Sequence, residues 1–216
     1  MRTILILLIS FSMLNIISAQ ENEDLVFEKK QKQNEINTLF GDEYVAHGGY
    51  GAFTIGYSEI EDIDAIIIGG RGAWIIGHWF ALGFGGTGFI NDMTYNSLLD
   101  RNVSLSGGYG GLLMEPIILP WFPVHISIPV LFGAGGIAYV TGYESGVEDE
   151  LPAYVEDATS FVILEPGAEL EINIVKFFRL SFGVSYRFTS EINLYDTSSF
   201  PLNGWAGNLT LKFGRF

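Results

Sequence analysis

His125-Ile126-Ser127 sets an imidazole two positions before a hydroxyl, the residue types of a base and a nucleophile. A histidine takes a serine proton only when an acid orients its ring, and this pair falls in or near a turn, where an ordinary interfacial histidine is the simpler account. His47 and His78 stand far apart, so no metal-ligand spacing appears. Gly83-Phe84-Gly85-Gly86-Thr87-Gly88 fits the dinucleotide-binding glycine pattern letter for letter, but Phe89 to Tyr95 opens no amphipathic helix and the glycines sit inside a strand. There they suit the curvature of a small barrel. Glu144, Glu148, Asp149, Glu150, Glu156 and Asp157 offer oxygens to a divalent cation without the regular spacing of a calcium loop, and a solvated acidic loop is the preferred reading. No catalytic, cofactor or metal site is expected.

Other charged residues are positioned by a period of two. Phe178, Leu180, Phe182, Val184, Tyr186 and Phe188 share one parity, and Arg179, Ser181, Gly183, Ser185 and Arg187 the other. Val162, Leu164, Ala168, Leu170 and Ile172 alternate with Glu165, Gly167, Glu169 and Glu171, and the link Asn173 to Lys176 makes the two runs a hairpin. Phe80, Leu82 and Phe84 alternate with Ala81, Gly83 and Gly85; Val103, Leu105, Tyr109 and Leu113 alternate with Ser104, Ser106, Gly108 and Gly110. Strands near 47–57, 64–76, 130–141 and 204–213 bring the count to about eight. Pro120, Pro123 and Pro129 forbid a helix across the uncharged run Ile117 to Val140, so the strand there is expected to start near Val130.

The odd-numbered links, Ser58–Asp62, Asn91–Asn102, Gly142–Ala158 and Ser190–Asn203, read as long and acidic; Gly77-His78 and Asn173–Lys176 read as tight, while Glu115–Pro129 departs from the pattern. Long links at one end and short ones at the other are the pattern of an all-β, up-and-down antiparallel transmembrane barrel. Trp79, Phe80, Trp121, Phe122, Phe177, Phe178, Phe213 and Phe216 fall near the short-turn end, and Tyr57, Phe89, Tyr139, Tyr143, Tyr186, Phe188 and Trp205 near the long-loop end, as two aromatic girdles. An arginine pointing into lipid at mid-membrane costs about 2 to 4 kcal/mol, so the parity of Arg179 and Arg187 is expected to face the lumen. Inward positions are then expected to be mostly Gly, Ser, Thr and charged groups. A register setting Glu171 opposite Arg179 also sets Glu169 opposite Ser181 and Glu165 opposite Ser185, and predicts an internal charge network of Arg71, Glu165, Glu169, Glu171, Arg179, Arg187 and Lys212 that closes the lumen.

The chain has 216 residues, 27 of them glycine and none cysteine, and a net charge of −14. Disulfide scaffolds and thiol chemistry are excluded, and a nucleic-acid partner held through phosphates is disfavoured. One basic residue, Arg2, followed by the apolar Ile4–Ile17 and Ser18-Ala19, reads as a signal peptide over 1–19; residues 20–45 read as a polar lead-in, and 46–216 as the barrel.

On the alternation of Phe161–Phe188 and the terminal segment Trp205–Phe216, the chain resembles the small outer-membrane β-barrels of Gram-negative bacteria, the transmembrane domain of the outer membrane protein A type included. The resemblance implies a monomer in outer-membrane lipid, with an envelope-integrity, surface-binding or narrow-pore role and no cofactor. It also implies that the barrel-assembly machinery recognises Phe216. Leu209, Leu211 and Phe213 have opposite parity to Phe216, so a bulge near Gly214 is needed to bring it into phase. His125 and Ser127 are similar to the His-x-Ser pair of a lipid A deacylase barrel, but Ile128 stands where that family has asparagine. A third reading is a soluble lipocalin-like barrel, with its apolar parity inward around a ligand and Arg179 and Arg187 in water.

Overall fold

The structure, a computed structural model, describes residues 46–96, 101–141, 155–194 and 197–216. The expected signal peptide and lead-in, Tyr143 and the acidic-loop residues Glu144, Glu148, Asp149, Glu150 and the Glu156 side chain lie outside what is described. Ten strands are present: β1 (His47–Ile60), β2 (Ile63–Ile76), β3 (Phe80–Asn91), β4 (Thr94–Asn96), β5 (Arg101–Ile118), β6 (Val124–Ser127), β7 (Val130–Thr141), β8 (Val155–Val175), β9 (Phe178–Thr189) and β10 (Gly204–Arg215). They make eight walls. The three-residue β4 extends the β3 wall against β5, and β6 and β7 are halves of one wall between β5 and β8. All pairings are antiparallel, and β1 pairs with both β2 and β10, so the sheet closes on itself.

Along β9 the alternation holds: Arg179, Ser181, Ser185 and Arg187 are buried, while Phe182, Val184 and Phe188 are exposed on the outer surface. So narrow a ring brings neighbouring backbones together on the concave side, and inward positions there leave no room for a side chain. Gly111 and Gly133 are direct cross-strand partners, and a Cβ on either falls 2.1 Å from a carbonyl oxygen of the opposite strand. Glycine at both is what lets β5 and β7 meet at this angle.

The wall expected to begin at Val130 begins instead at Val124. His125, Ser127, Pro129, Leu131 and Ile137 keep one inward parity across the break. Backbone groups around the break are still paired, Ile128 N–H donating to Pro116 O (2.9 Å) and Gly167 N–H to Pro129 O (2.7 Å). Because β5 runs on to Ile118, the link once read as Glu115–Pro129 shrinks to Leu119–Pro123 and joins the tight turns. The opposite correction applies to Ser58–Asp62. It is a two-residue hairpin turn at Glu61 and Asp62, with φ of 54° and 59°, the left-handed pair that follows the twist of its strands.

The β8–β9 register is displaced by two residues from expectation: Glu171 lies opposite Ser181 and Glu169 opposite Gly183, because the turn is Lys176-Phe177 with an irregularity between Asn173 and Val175. The expected side-chain partners nevertheless meet. Arg179 bonds Glu171 (3.2 Å), Ser181 bonds Glu169 (2.7 Å) and Ser185 bonds Glu165 (2.7 Å), each along the diagonal of the ladder.

The interior is less polar than expected. In the half toward the long loops, β5 turns its apolar parity inward, and Val103, Leu105 and Tyr109 pack with Ile60, Ile67, Ile137, Ile163 and others in one buried cluster. Phe89 and Tyr139, assigned to a girdle, belong to this cluster, with Phe89, Tyr109 and Phe161 forming a chain of rings 6.3 and 6.4 Å apart. Phe216 also departs from a girdle position. No bulge interrupts the β1–β10 ladder at Gly214, and the ring turns inward to stack on Tyr50 at 6.2 Å. We expect Gly133→Val to cut the yield of heat-modifiable, folded barrel by more than tenfold in electrophoresis of unboiled against boiled sample. Gly207→Ala, whose Cβ meets nothing within 4 Å, should leave that yield unchanged.

Candidate functional site

Toward the short-turn end, inward positions of seven walls converge around one ammonium. Lys212 Nζ on β10 lies 2.6 Å from Glu115 Oε1 and 3.3 Å from Glu169 Oε2, and donates to Glu171 Oε1. These three carboxylates offer oxygens within 4.8 Å of one another, a spacing that would suit a metal ion, and the lysine stands among them. Arg71 Nη2 pairs with Glu169 at 2.5 Å, Arg179 Nη1 with Glu171 at 3.2 Å, and His125 Nε2 with Glu171 Oε2 at 3.0 Å. Tyr50 donates its hydroxyl to Glu115, and the Arg179 guanidinium rests 3.8 Å from the centre of the Phe216 ring.

A second tier lies nearer the middle. Glu165 accepts from Tyr109 Oη (2.8 Å) and Ser185 Oγ (2.7 Å). Arg187, fully buried, donates to Ser58, and among the described residues no carboxylate lies within 4.0 Å of it. Of the residues the sequence nominated, Arg71, Glu169, Glu171, Arg179 and Lys212 therefore form one connected cluster, while Glu165 and Arg187 stand outside it. Sequence reasoning missed Glu115, Tyr50 and His125. Glu115 shares the parity of Tyr109 and Leu113, but the strand reading ended at Leu113 and placed Glu115 in the following link. With Glu115 included, the inward carboxylates Glu115, Glu165, Glu169 and Glu171 equal in number the inward cations Arg71, Arg179, Arg187 and Lys212.

Between this ionic layer and the apolar cluster lies a cavity of about 70 Å³ bordered by Arg71, Glu165, Thr54, Ser185 and Asn208, enough space and enough polar groups for a few waters. Above it lies the apolar cluster. Ile192, Leu194 and Leu202, from the segment joining β9 to β10, fold back into that layer.

No acyl-transfer relay is assembled. Both nitrogens of the His125 ring are taken, Nε2 by Glu171 at 3.0 Å and Nδ1 facing Phe122 O at 3.3 Å, and Ser127 Oγ has no hydrogen-bond partner among the described residues. Both side chains are buried in the lumen, away from the outer surface where a lipid would present its ester. The lipocalin-like arrangement fails on the same ground, since Arg179 and Arg187 are buried and the outer face carries Phe53, Ile55, Ile66, Ile68, Phe84 and Phe132 about half exposed or more.

A closed antiparallel ring with such an outer belt, compensated charge inside and Trp74, Trp79, Trp121, Tyr57 and Trp205 exposed toward its two ends is a transmembrane β-barrel of the small eight-walled kind. Solved structures place the fold among outer-membrane barrels. Neisserial surface protein A matches with a TM-score of 0.50 and 8% identity over 80% of this chain and 99% of its own. The N-terminal β-barrel domain of OprF from Pseudomonas aeruginosa matches at 0.45, with 9% identity over 79% and 99%, and the attachment invasion locus protein Ail of Yersinia pestis at 0.39, with 14% over 78% and 96%. No family model and no curated protein matches the chain.

Removing Lys212 leaves three buried carboxylates crowded together. Lys212→Met should cost about 3–5 kcal/mol, measured by urea unfolding in lipid vesicles. Adding Glu115→Gln to that variant should recover part of the loss, because it removes one of the uncompensated charges.

Proposed function

We propose that the protein is a monomeric outer-membrane barrel, non-enzymatic and non-conducting, that serves the cell envelope through its surface. What supports this reading is the occupancy of the lumen by a salt-bridged layer toward one end and an apolar cluster toward the other, with a cavity of about 70 Å³ between. Ions crossing such a lumen would have to part charges paired at close range and then traverse a dry hydrocarbon-like section, each step costing several kcal/mol. The apolar outer belt and the likeness in fold to small outer-membrane barrels support the location. On this reading residues 1–19 are removed on export, and the assembly machinery takes up Phe216 before the barrel closes and its ring turns inward. The rim formed by Glu59, Glu61, Asp62 and Asp64 at the β1–β2 turn is then the acidic surface shown to the exterior.

Purified barrel in planar bilayers should give no unitary conductance across ±100 mV, a conventional range for which one charge gains about 2.3 kcal/mol per 100 mV. Steady single-channel steps from the unaltered chain would overturn the sealed-lumen reading.

A further inference from the structure

A groove of about 870 Å³ runs along the outside of the barrel at the long-loop end, over β1 and β10 and under the segment that joins β9 to β10. Its hollow has a specific origin. Gly207 on β10 shares the outward parity of Trp205 and Leu209, and a Cβ built there meets nothing within 4 Å. With no side chain at Gly207, a trough is left between Val184, Tyr57 and Trp205.

The trough has two kinds of wall. Its membrane-facing walls are aromatic and apolar, with Tyr57 and Trp205 both more than half exposed and Phe200 nearly so. Its rim carries Glu59, Glu61 and Asp62, and among the described residues no lysine, arginine or histidine lines it. The walls are held in place from behind. Trp205 is braced edge-on by Tyr186 at 5.1 Å, its backbone carbonyl accepts from Ser58 (2.8 Å), Glu61 accepts from Ser198 N–H (3.1 Å), and Tyr57 donates to Asp64 at 2.5 Å. Ordering these groups costs a ligand little, because they are ordered already.

Electron-rich ring faces beside uncompensated carboxylates, at the level where hydrocarbon meets water, attract one chemistry above others: an ammonium carried on an apolar chain. We propose that this groove binds a cationic amphiphile, with its ammonium head held between the Tyr57 and Trp205 rings and the Glu59 and Asp62 carboxylates, and its chain lying along the Gly207 trough. The inference rests on the reading of the protein as a membrane barrel. An anionic head at the same place meets only like charge.

The test uses the full barrel in phosphatidylcholine nanodiscs and a bromoalkyl-trimethylammonium probe, whose bromine quenches tryptophan on contact, beside a bromoalkyl-sulfonate of the same chain length. The ammonium probe should reach half-quenching of the Trp205 signal, identified as the part lost in Trp205→Phe, at about tenfold lower concentration than the sulfonate. Gly207→Leu, which fills the trough, and Glu59→Gln with Asp62→Asn, which removes two rim charges, should each raise that concentration about tenfold. Equal quenching by both probes, sulfonate quenching that appears only with added calcium, or indifference to Gly207→Leu would overturn the proposal. The unboiled-against-boiled mobility of every variant reports the barrel separately, so a failed groove is distinguished from a failed fold.

Discussion

In hydrocarbon, every backbone N–H and C=O of a sheet must find a partner within the protein, and the only sheet that manages this is one with no edges. The pairing of β1 with β10 is therefore the contact on which the rest of the molecule depends. Once the ring is closed at eight walls its lumen is narrow, and everything inside has to fit that radius. Glycine faces inward where strands crowd, as at Gly111 and Gly133, and larger side chains project into the space that remains.

Filling the lumen with charge works only if the charge is balanced at short range. The Lys212 ammonium sits against Glu115, Glu169 and Glu171; Arg179 and His125 take the other oxygen of Glu171, and Arg71 shares Glu169 Oε2 with the lysine. Hydration lost by these ions is replaced by fixed partners drawn mostly from other walls. The layer thereby ties β1, β2, β5, β6, β8, β9 and β10 together across the lumen, where backbone hydrogen bonds connect only neighbours. The apolar layer above does the same work by contact, and the β9–β10 segment completes it by supplying Ile192, Leu194 and Leu202. Much of the lumen is thus occupied by side chains, on which the proposal of a surface role rests.

Where the two faces of a strand differ in polarity, the amino-acid sequence was sufficient. The alternation of Arg179 and Arg187 with Phe182, Val184 and Phe188 fixed which side meets lipid, because a lipid-facing arginine is too costly, and the acidic parity of Glu165 to Glu171 identified the partners across the hairpin. Alternation is blind where both faces are apolar. Ile66-Ile67-Ile68 shows no period, and on β5 the Leu105–Tyr109 parity resembles a lipid face although it is buried. The Glu61-Asp62 turn carries none of the Asn-Gly signal that marks such hairpins, so a tight turn read as a loop.

Local order thus belonged to the sequence: strands, their two faces, the charged core and the membrane as solvent. Tertiary structure decided everything that depends on which wall stands beside which. Glu115 and Lys212 are 97 positions apart and meet only because the ring closes, and His125 reaches Glu171 only because β6 is continuous in parity with β7 across a proline. The groove beside Trp205 exists because a glycine on one wall, a turn from another and a returning segment come to the same level of the bilayer. A period of two reports the direction of a side chain from its own strand; it carries no information about what that side chain will meet across the lumen.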